Sequence, residues 1–232
     1  MSLKKKAVFN WSGGKDSALA LRKVIQENEY EVIALLTTIS AENLKSSIHQ
    51  IPVEILEKQA KSIGIPLKPV GISKNLKNYE QKMTEVVLDF KQQGVEHFIF
   101  GDVHLSEVKT YREKQLNPLG IQVIEPLWDK TSEDVVAEFL ASGLKAKIIV
   151  TQVDKLEDSY IGKDLSQELV NSFPADIDVC GENGEYHSLV YDGDIFQEKV
   201  EFSIQKVSKI SYDFTLDTGE NIMSYFWQAE LE

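Results

Sequence analysis

Six consecutive residues, Ser12-Gly13-Gly14-Lys15-Asp16-Ser17, place two glycines, a lysine, an aspartate and two hydroxyls in one short turn. That mixture suits an anion. Glycine at 13 and 14 lets the main chain turn sharply and approach a ligand with no Cβ in the way. Lys15 adds a mobile positive charge, and Ser12 and Ser17 add hydroxyl donors. The turn differs from the common P-loop, which has glycine where Phe9 stands and Ser or Thr where Asp16 stands. A second segment, Asp178-Val179-Cys180-Gly181-Glu182-Asn183-Gly184-Glu185-Tyr186-His187-Ser188, gathers two glycines, two glutamates and a histidine. Glu182, Glu185 and His187 offer proton-transfer groups, metal ligands or substrate anchors. By composition alone, a hydrogen-bonded hairpin leading into an exposed strand is an equal reading of the same stretch.

The elements around the first turn are those an anion site needs. Ala7 to Asn10 is a short apolar run bounded by lysines and by the turn, which reads as a buried strand. Asp16 and Ser17 suit a helix's first turn, and Ala18, Leu19, Leu21 and Ile25 supply an apolar face up to Glu29. The turn thus lies between strand and helix, where backbone N–H groups and the positive helix end converge on an anion. Val32 to Thr38 reads as a second strand. Ile51 to Ile63 reads as a helix, with Pro52 in its first turn and Gly64 at its end, followed by a strand over Pro66 to Val70. A helix over Leu76 to Gln93, closed by Gly94, leads to a strand from His97 to Phe100.

Such alternation argues for a parallel sheet covered by helices on both faces, with ligands at the carboxyl ends of the strands. The turns at Ser12 to Ser17, Thr37 to Ser40 and Gly101-Asp102 all fall there. After Ile121 to Leu127 the rhythm changes. A helix over Ser132 to Ala141 and a strand over Lys147 to Val153 are followed by short strands and turns rich in Gly, Asp and Asn. A boundary near Trp128 divides the chain into residues 1–127 and a smaller 128–232, and with no low-complexity linker the two are expected to pack closely.

The chain has 232 residues, 42% of them hydrophobic, enough for a full α/β core with a smaller second domain. It shows neither a run near the ~20 apolar residues of a membrane helix nor a signal-peptide pattern, so a soluble, cytoplasmic protein is expected. One cysteine, Cys180, excludes an internal disulfide or a multi-cysteine metal cage within the chain. A formal net charge of -12 argues against broad nucleic-acid contact. Lys4, Lys5 and Lys6 read as a solvated flank.

Ser12 to Ser17 matches the SGGKDS signature of the PP-loop (N-type) ATP pyrophosphatases, and Gly181 to His187 resembles the GE-x-GEYH signature of the diphthine-ammonia ligase family within that superfamily. Its other marks appear in order. His49 precedes a helix reading Leu56, Gln59-Ala60 and Gly64-Ile65-Pro66-Leu67; Gly101-Asp102 is followed by Tyr111-Arg112-Glu113; then come Pro126-Leu127-Trp128 and Gly143. The similarity runs from Val8 to Phe196, and it is greatest to the short bacterial-type members, whose late signature reads CGENGE.

The resemblance implies a parallel sheet sandwiched by helices of the HUP-like, adenine nucleotide alpha hydrolase-like kind, with a smaller α+β C-terminal domain. It implies an amide-forming ligase: a carboxylate attacks the α phosphorus of ATP, pyrophosphate leaves, and ammonia displaces AMP from the acyl adenylate. In eukaryotic and archaeal relatives the acid is diphthine on elongation factor 2; for this chain the carboxylate acceptor, protein or small molecule, is left unnamed. Expected partners are therefore ATP or AMP, ammonia and that acceptor, with a homodimer open and neither membrane nor nucleic acid expected.

Under this reading Ser12, Gly13, Gly14, Lys15 and Ser17 cradle the β and γ phosphates, and Mg²⁺ neutralises charge. Asp16 holds the Mg²⁺ or favours the helix start. Gly101 and Asp102 face the nucleotide, with Asp102 a candidate for ribose, metal or ammonia, and Thr37 and Thr38 lie where adenine or ribose binds or simply end a strand. Asp102, Glu182, Glu185 and His187 join Lys15 as catalytic candidates. His49, His104 and Arg112 are substrate-binding candidates, Arg112 neutralising an anionic acceptor or pairing with Glu113. His97 reads as structural and Cys180 as a buried structural thiol. Two rival readings are a PP-loop enzyme acting on tRNA, disfavoured by the missing cysteine pair, and a non-catalytic AMP- or ATP-binding protein.

Overall fold

The computed structural model describes residues 3–46, 49–73, 79–215 and 221–232. Strand β1 (Lys5–Asn10) is followed by α1 (Lys15–Glu27), β2 (Tyr30–Ser40), α2 (Val53–Ile63), β3 (Leu67–Ile72), α3 (Tyr79–Gln92), β4 (His97–Ile99), α4 (Ser106–Leu116) and β5 (Gln122–Ile124). The five strands form one parallel sheet in the order β3-β2-β1-β4-β5. Successive strands run outward from β1 to β3, and the chain then returns to the other side of β1. The order therefore reverses between β1 and β4, and a crevice opens at the carboxyl ends of those two strands, the position where open α/β sheets bind ligands. The turn after Asn10 and the pair Gly101-Asp102 border it.

Continuous apolar strands serve two cores because successive side chains point to opposite faces. Ala7, Phe9 and Leu35 join the cluster with α1 and α2, whereas Val8, Ala34, Leu36 and Phe98 join Val87 and Phe90 of α3 on the other face. Helix termini follow local chemistry. Gly64 adopts φ 84° at the end of α2 and donates to the Ala60 carbonyl, as a glycine C-cap does.

Beyond β5, α5 (Ser132–Ser142) leads to β6 (Lys145–Gln152), the short α6 (Gln167–Asn171), β7 (Tyr186–Asp192), β8 (Ile204–Thr215) and β9 (Asn221–Leu231). These four strands make an antiparallel sheet ordered β7-β6-β9-β8. The fold is thus the expected α/β sheet with helices on both faces and a separate, smaller antiparallel sheet. Residues of β6 and β7, including Ile148, Val150, Leu189 and Val190, belong to the same buried cluster as Phe9 and α1, so one core runs through both sheets.

One expectation needs adjustment, one falls partly outside the described residues, and one helix went unread. The last third holds two long strands of 12 and 11 residues in place of short ones. The expected helix from Leu76 is described from Tyr79, and residues 74–78 lie outside the described residues. Helix α4 carries no apolar stripe, since Leu116 is its one buried residue, so periodicity gave no sign of it.

Candidate functional site

Strand β1 ends at Asn10 and α1 begins at Lys15, which leaves four residues to turn the chain. Gly13 sits at φ +82°, and a Cβ there would meet Leu56 Cδ2 at 2.9 Å and Ile51 Cδ1 at 3.0 Å. Both its conformation and its crowding therefore require glycine. The Ser12 N–H donates to Ser17 Oγ at 3.2 Å and the Gly14 N–H to Ser12 Oγ at 3.3 Å. Gly14, at the N-cap of α1, supplies no side-chain cap. The positive end of α1 therefore faces the crevice without a capping carboxylate or hydroxyl of its own N-cap residue.

The turn is held from outside by β7, an edge strand of the second sheet. Val190 N–H donates to the Gly13 carbonyl at 2.9 Å, and Lys15 N–H donates to Ser188 Oγ at 3.1 Å. Sequence reading did not assign Ser188 a role, since a lone serine after a histidine carries no signal of its own.

Lys15 is 4% exposed. Its Nζ donates to both Asp16 carboxylate oxygens, at 2.8 and 2.6 Å, lies 3.3 Å from Cys180 Sγ and sits 5.3 Å over the Tyr186 ring. Burial works against the charge, yet the Asp16 carboxylate outweighs it and holds the ammonium pKa well above the ordinary lysine value. Burial, reinforced by Asp16 and opposed by Lys15, pushes the Cys180 thiol far above the ordinary cysteine value, so it stays protonated. A buried, protonated thiol is no nucleophile.

Loop 178–185 brings the second group. Burial, followed by repulsion from Asp16, raises the Glu182 carboxyl to about 7. Ligand atoms of Asp16, Cys180 and Glu182 all lie within 4.8 Å of one another. Two carboxylates at that spacing suit a hard divalent cation such as Mg²⁺, whereas the protonated thiol does not. Glu185 is placed otherwise. It is 2% exposed, and its carboxylate accepts from Asp178 N–H at 3.1 Å, Asn183 N–H at 3.1 Å and Asn183 Nδ2 at 3.2 Å. It ties the loop together and does not line the cavity.

His187 and His49 face each other, ring centroids 4.6 Å apart, at the cavity wall. Burial, then the Lys15 charge, lowers His187 to about 4. Burial and His187 push His49 well below its ordinary value. Both imidazoles are neutral at pH 7.

The opposite wall comes from the first sheet. Thr37 and Thr38 at the end of β2 line the cavity, as do Gly101 and Asp102 after β4. A Cβ on Gly101 would meet Ser17 Cα at 2.9 Å and Ser17 N at 3.0 Å, so glycine lets β4 approach the start of α1. Arg112 of α4 pairs with Asp102, lies 3.9 Å from Glu125 Oε1 and stacks 3.9 Å over the Phe100 ring. Glu125, side chain 1% exposed, also pairs with Lys109 at 3.2 Å. Arg112 is thus neutralised by Asp102 and Glu125, and Glu113 is not the partner its spacing suggested. Burial lowers it to about 10 against Glu125 and Tyr79, so it stays charged at pH 7. His104 is exposed and does not line the cavity. No signal marked Glu125, a carboxylate before a proline, as the buried centre of this network.

Together these residues enclose a cavity of about 740 Å³, large enough for a nucleotide and part of an acceptor. The Ser12–Ser17 turn with Lys15, the carboxyl of Glu182, the two neutral histidines and the Asp102–Arg112 pair all line it.

Comparison with known proteins finds matches along most of the chain. The diphthamide synthase N-terminal domain model matches residues 4–123, and the diphthamide synthase C-terminal domain model matches residues 131–219. A human protein named diphthine-ammonia ligase is 27% identical over 216 residues, covering 82% of this chain and 79% of the relative. The zebrafish protein of that name is 24% identical and covers 82% and 83%. The fission yeast protein of that name is 25% identical and covers 84% of this chain but 36% of its own length.

Proposed function

The chain belongs to the diphthamide synthase family, and from that premise we propose that it is an ATP-dependent, AMP-forming ligase that converts a carboxylate to an amide with ammonia. One observation carries this reading. The Ser12–Ser17 turn and the 178–188 loop meet at Lys15, so a phosphate site and a set of proton-transfer groups share one cavity.

The chain's residues have these roles. The turn's N–H groups and Ser12 and Ser17 hold the β and γ phosphates, and Lys15 stabilises the charge that develops on departing pyrophosphate. Lys15 and Asp16 neutralise each other in the free protein. A triphosphate arriving with its divalent cation offers each a replacement partner, so binding leaves no buried charge unpaired. Asp16, with Glu182 within reach, holds Mg²⁺, which supplies charge neutralisation at the phosphates. Thr37, Thr38 and Gly101 border the nucleoside, neutral His187 and His49 border the acceptor as hydrogen-bonding groups, and Glu182, raised to about 7, is matched to take the proton shed as ammonia attacks. Asp102 is fixed by Arg112, which makes it a positioned hydrogen-bond acceptor on the far wall. Glu185 acts through the loop it organises.

The relatives' name specifies diphthine as the acid. Carried to this chain, it makes a diphthine-bearing protein the first acceptor to try and free carboxylic acids the second. The same reading divides the chain into an ATP-binding part, 1–127, and a smaller part, 128–232, acting in the cytoplasm. The test is product identity: the full chain is incubated with ATP, Mg²⁺, ammonium and each acceptor. AMP, pyrophosphate and an amide are expected in equal amounts. Formation of ADP, or no turnover with any acceptor while AMP binds, contradicts the ligase assignment.

A further inference from the structure

We infer that Gln59 is a positioning residue for phosphate binding: it sets the orientation of the Gly13–Gly14 peptide and thereby aims the Gly14 N–H into the anion site. This rests on the phosphate assignment made above. Gln59 lies on α2, is fully buried, and uses both ends of its amide. Oε1 accepts from Trp11 Nε1 at 2.9 Å, while Nε2 donates to the Gly13 carbonyl at 3.1 Å and to the Val190 carbonyl at 2.6 Å.

The amide's direction is dictated by its partners. An indole nitrogen only donates and a carbonyl oxygen only accepts, so Oε1 must face Trp11 and Nε2 must face the two carbonyls. Glutamine supplies an acceptor and two donors at that reach; glutamate and methionine do not. The consequence reaches the ligand side of the turn. The Gly13 C=O and Gly14 N–H belong to one planar trans peptide and point in opposite directions. Val190 N–H and Gln59 Nε2 hold the carbonyl on the side of β7 and α2. The Gly14 N–H therefore points the other way, toward Ser12 Oγ, which lines the cavity.

A residue with φ +82° on a glycine has no side chain to fix this peptide plane, so the restraint has to come from outside. Gln59 provides it, and through Val190 it locks the turn to the second sheet. Without Gln59 the Gly13 carbonyl keeps only the Val190 N–H, the peptide plane is less firmly set, and pyrophosphate loses the alignment of one donor while the nucleoside end of the cavity is untouched.

Binding of Mg²⁺-pyrophosphate and of AMP to the full chain, measured by calorimetry, separates this role from general support of the fold. Gln59→Met keeps the length of the side chain and removes its hydrogen bonds. It is expected to weaken pyrophosphate about tenfold or more and to leave AMP within about twofold. Unchanged pyrophosphate affinity, or equal weakening of both ligands, overturns the inference. Should the Met variant fail to fold, Gln59→Glu gives a second reading. An ionised carboxylate would face two carbonyl oxygens, so its pyrophosphate affinity relative to wild type should fall steadily from pH 5 to pH 9, as the carboxyl loses its proton. A flat ratio overturns the inference. Failure of the wild-type chain to bind pyrophosphate at all contradicts the proposed function and removes this inference with it.

Discussion

The turn at 12–17 and the loop at 178–188 both reach Lys15, and they are built in opposite ways. The turn is made by main chain: two glycines, one at φ +82°, and N–H groups directed by the start of α1. Ser12 and Ser17 brace it, and Lys15 and Asp16 are left for chemistry. The loop is made by side chains. Asp178 accepts from Cys180 N–H at 2.7 Å, Glu185 gathers Asp178 and Asn183, and the Tyr186 hydroxyl donates to the Val179 carbonyl at 2.8 Å. The difference teaches which residues can change without loss of fold. Replacing Lys15 of the turn should strike activity first, and replacing a side chain that ties the loop together, such as Glu185, should strike stability first.

Lys15→Ala is the hardest test of that contrast. Removing a preorganised charge from the leaving-group site costs about 10²–10³ in kcat. Asp16, side chain 25% exposed, can rehydrate once unpaired. Turnover should fall by that amount or more while Tm stays within a few degrees; retained turnover breaks the phosphate assignment.

Glu185→Ala is the counterpart in the loop. It leaves two backbone N–H groups and the Asn183 amide without their charged acceptor, at a cost of about 2–3 kcal/mol. A chain of this size should lose about 4–12 °C in Tm. Activity of whatever remains folded should survive better than in Lys15→Ala. The reverse pattern would move Glu185 into the chemistry.

His187 sharpens the comparison through pH. Its pKa is about 4 when folded against 6.5 unfolded, so between those values the unfolded chain binds more protons. Stability is complete above pH 6.5 and declines as pH falls toward 4, by roughly 2 kcal/mol at pH 5. His187→Asn should flatten that decline in a denaturant titration at pH 7 and pH 5. An unchanged slope would assign the acid sensitivity elsewhere.

Gly101→Ala has the smallest expected effect and acts on the turn from behind. Its Cβ would stand 2.9 Å from Ser17 Cα, backbone that cannot give way without shifting the start of α1. A cost near the low end of overpacking, about 1–1.5 kcal/mol, corresponds to roughly a tenfold loss in ATP affinity. Equal affinity in the variant would show that the close approach of β4 and α1 does not shape the phosphate site.

The main-chain site was the legible one. A buried strand, a Ser-Gly-Gly turn and a helix start are neighbours in sequence, so their local physics implies an anion site before any fold is known. The first sheet followed for the same reason, since each strand and helix carries its own period and its own glycine stop. The side-chain site is not local in that sense. Whether a glutamate faces a ligand or closes its own loop depends on where its hydrogen bonds go, and Glu182 and Glu185, three residues apart, take opposite answers. Gln59 was visible only as part of a family pattern, because its partners lie 46 and 131 residues away. His104 reads as a site residue from its distance to Asp102, but the chain turns outward there and leaves it exposed. The long hairpin of β8 and β9 alternates polar and apolar residues only in part, over Ile210–Thr215 and Trp227–Leu231, while Ile204, Val207 and Ile210 fall three apart, so its pattern did not announce two long strands.

The central claim is that the acceptor's carboxylate attacks the α phosphorus of ATP held by the Ser12–Ser17 turn. Following oxygen tests it most directly. A diphthine-bearing acceptor labelled with ¹⁸O in its carboxylate is turned over with ATP, Mg²⁺ and ammonium, and the phosphorus-containing products are examined by mass spectrometry. The account predicts one labelled oxygen in AMP and none in pyrophosphate. Label in orthophosphate alongside ADP would mean attack at the γ phosphorus and would contradict it.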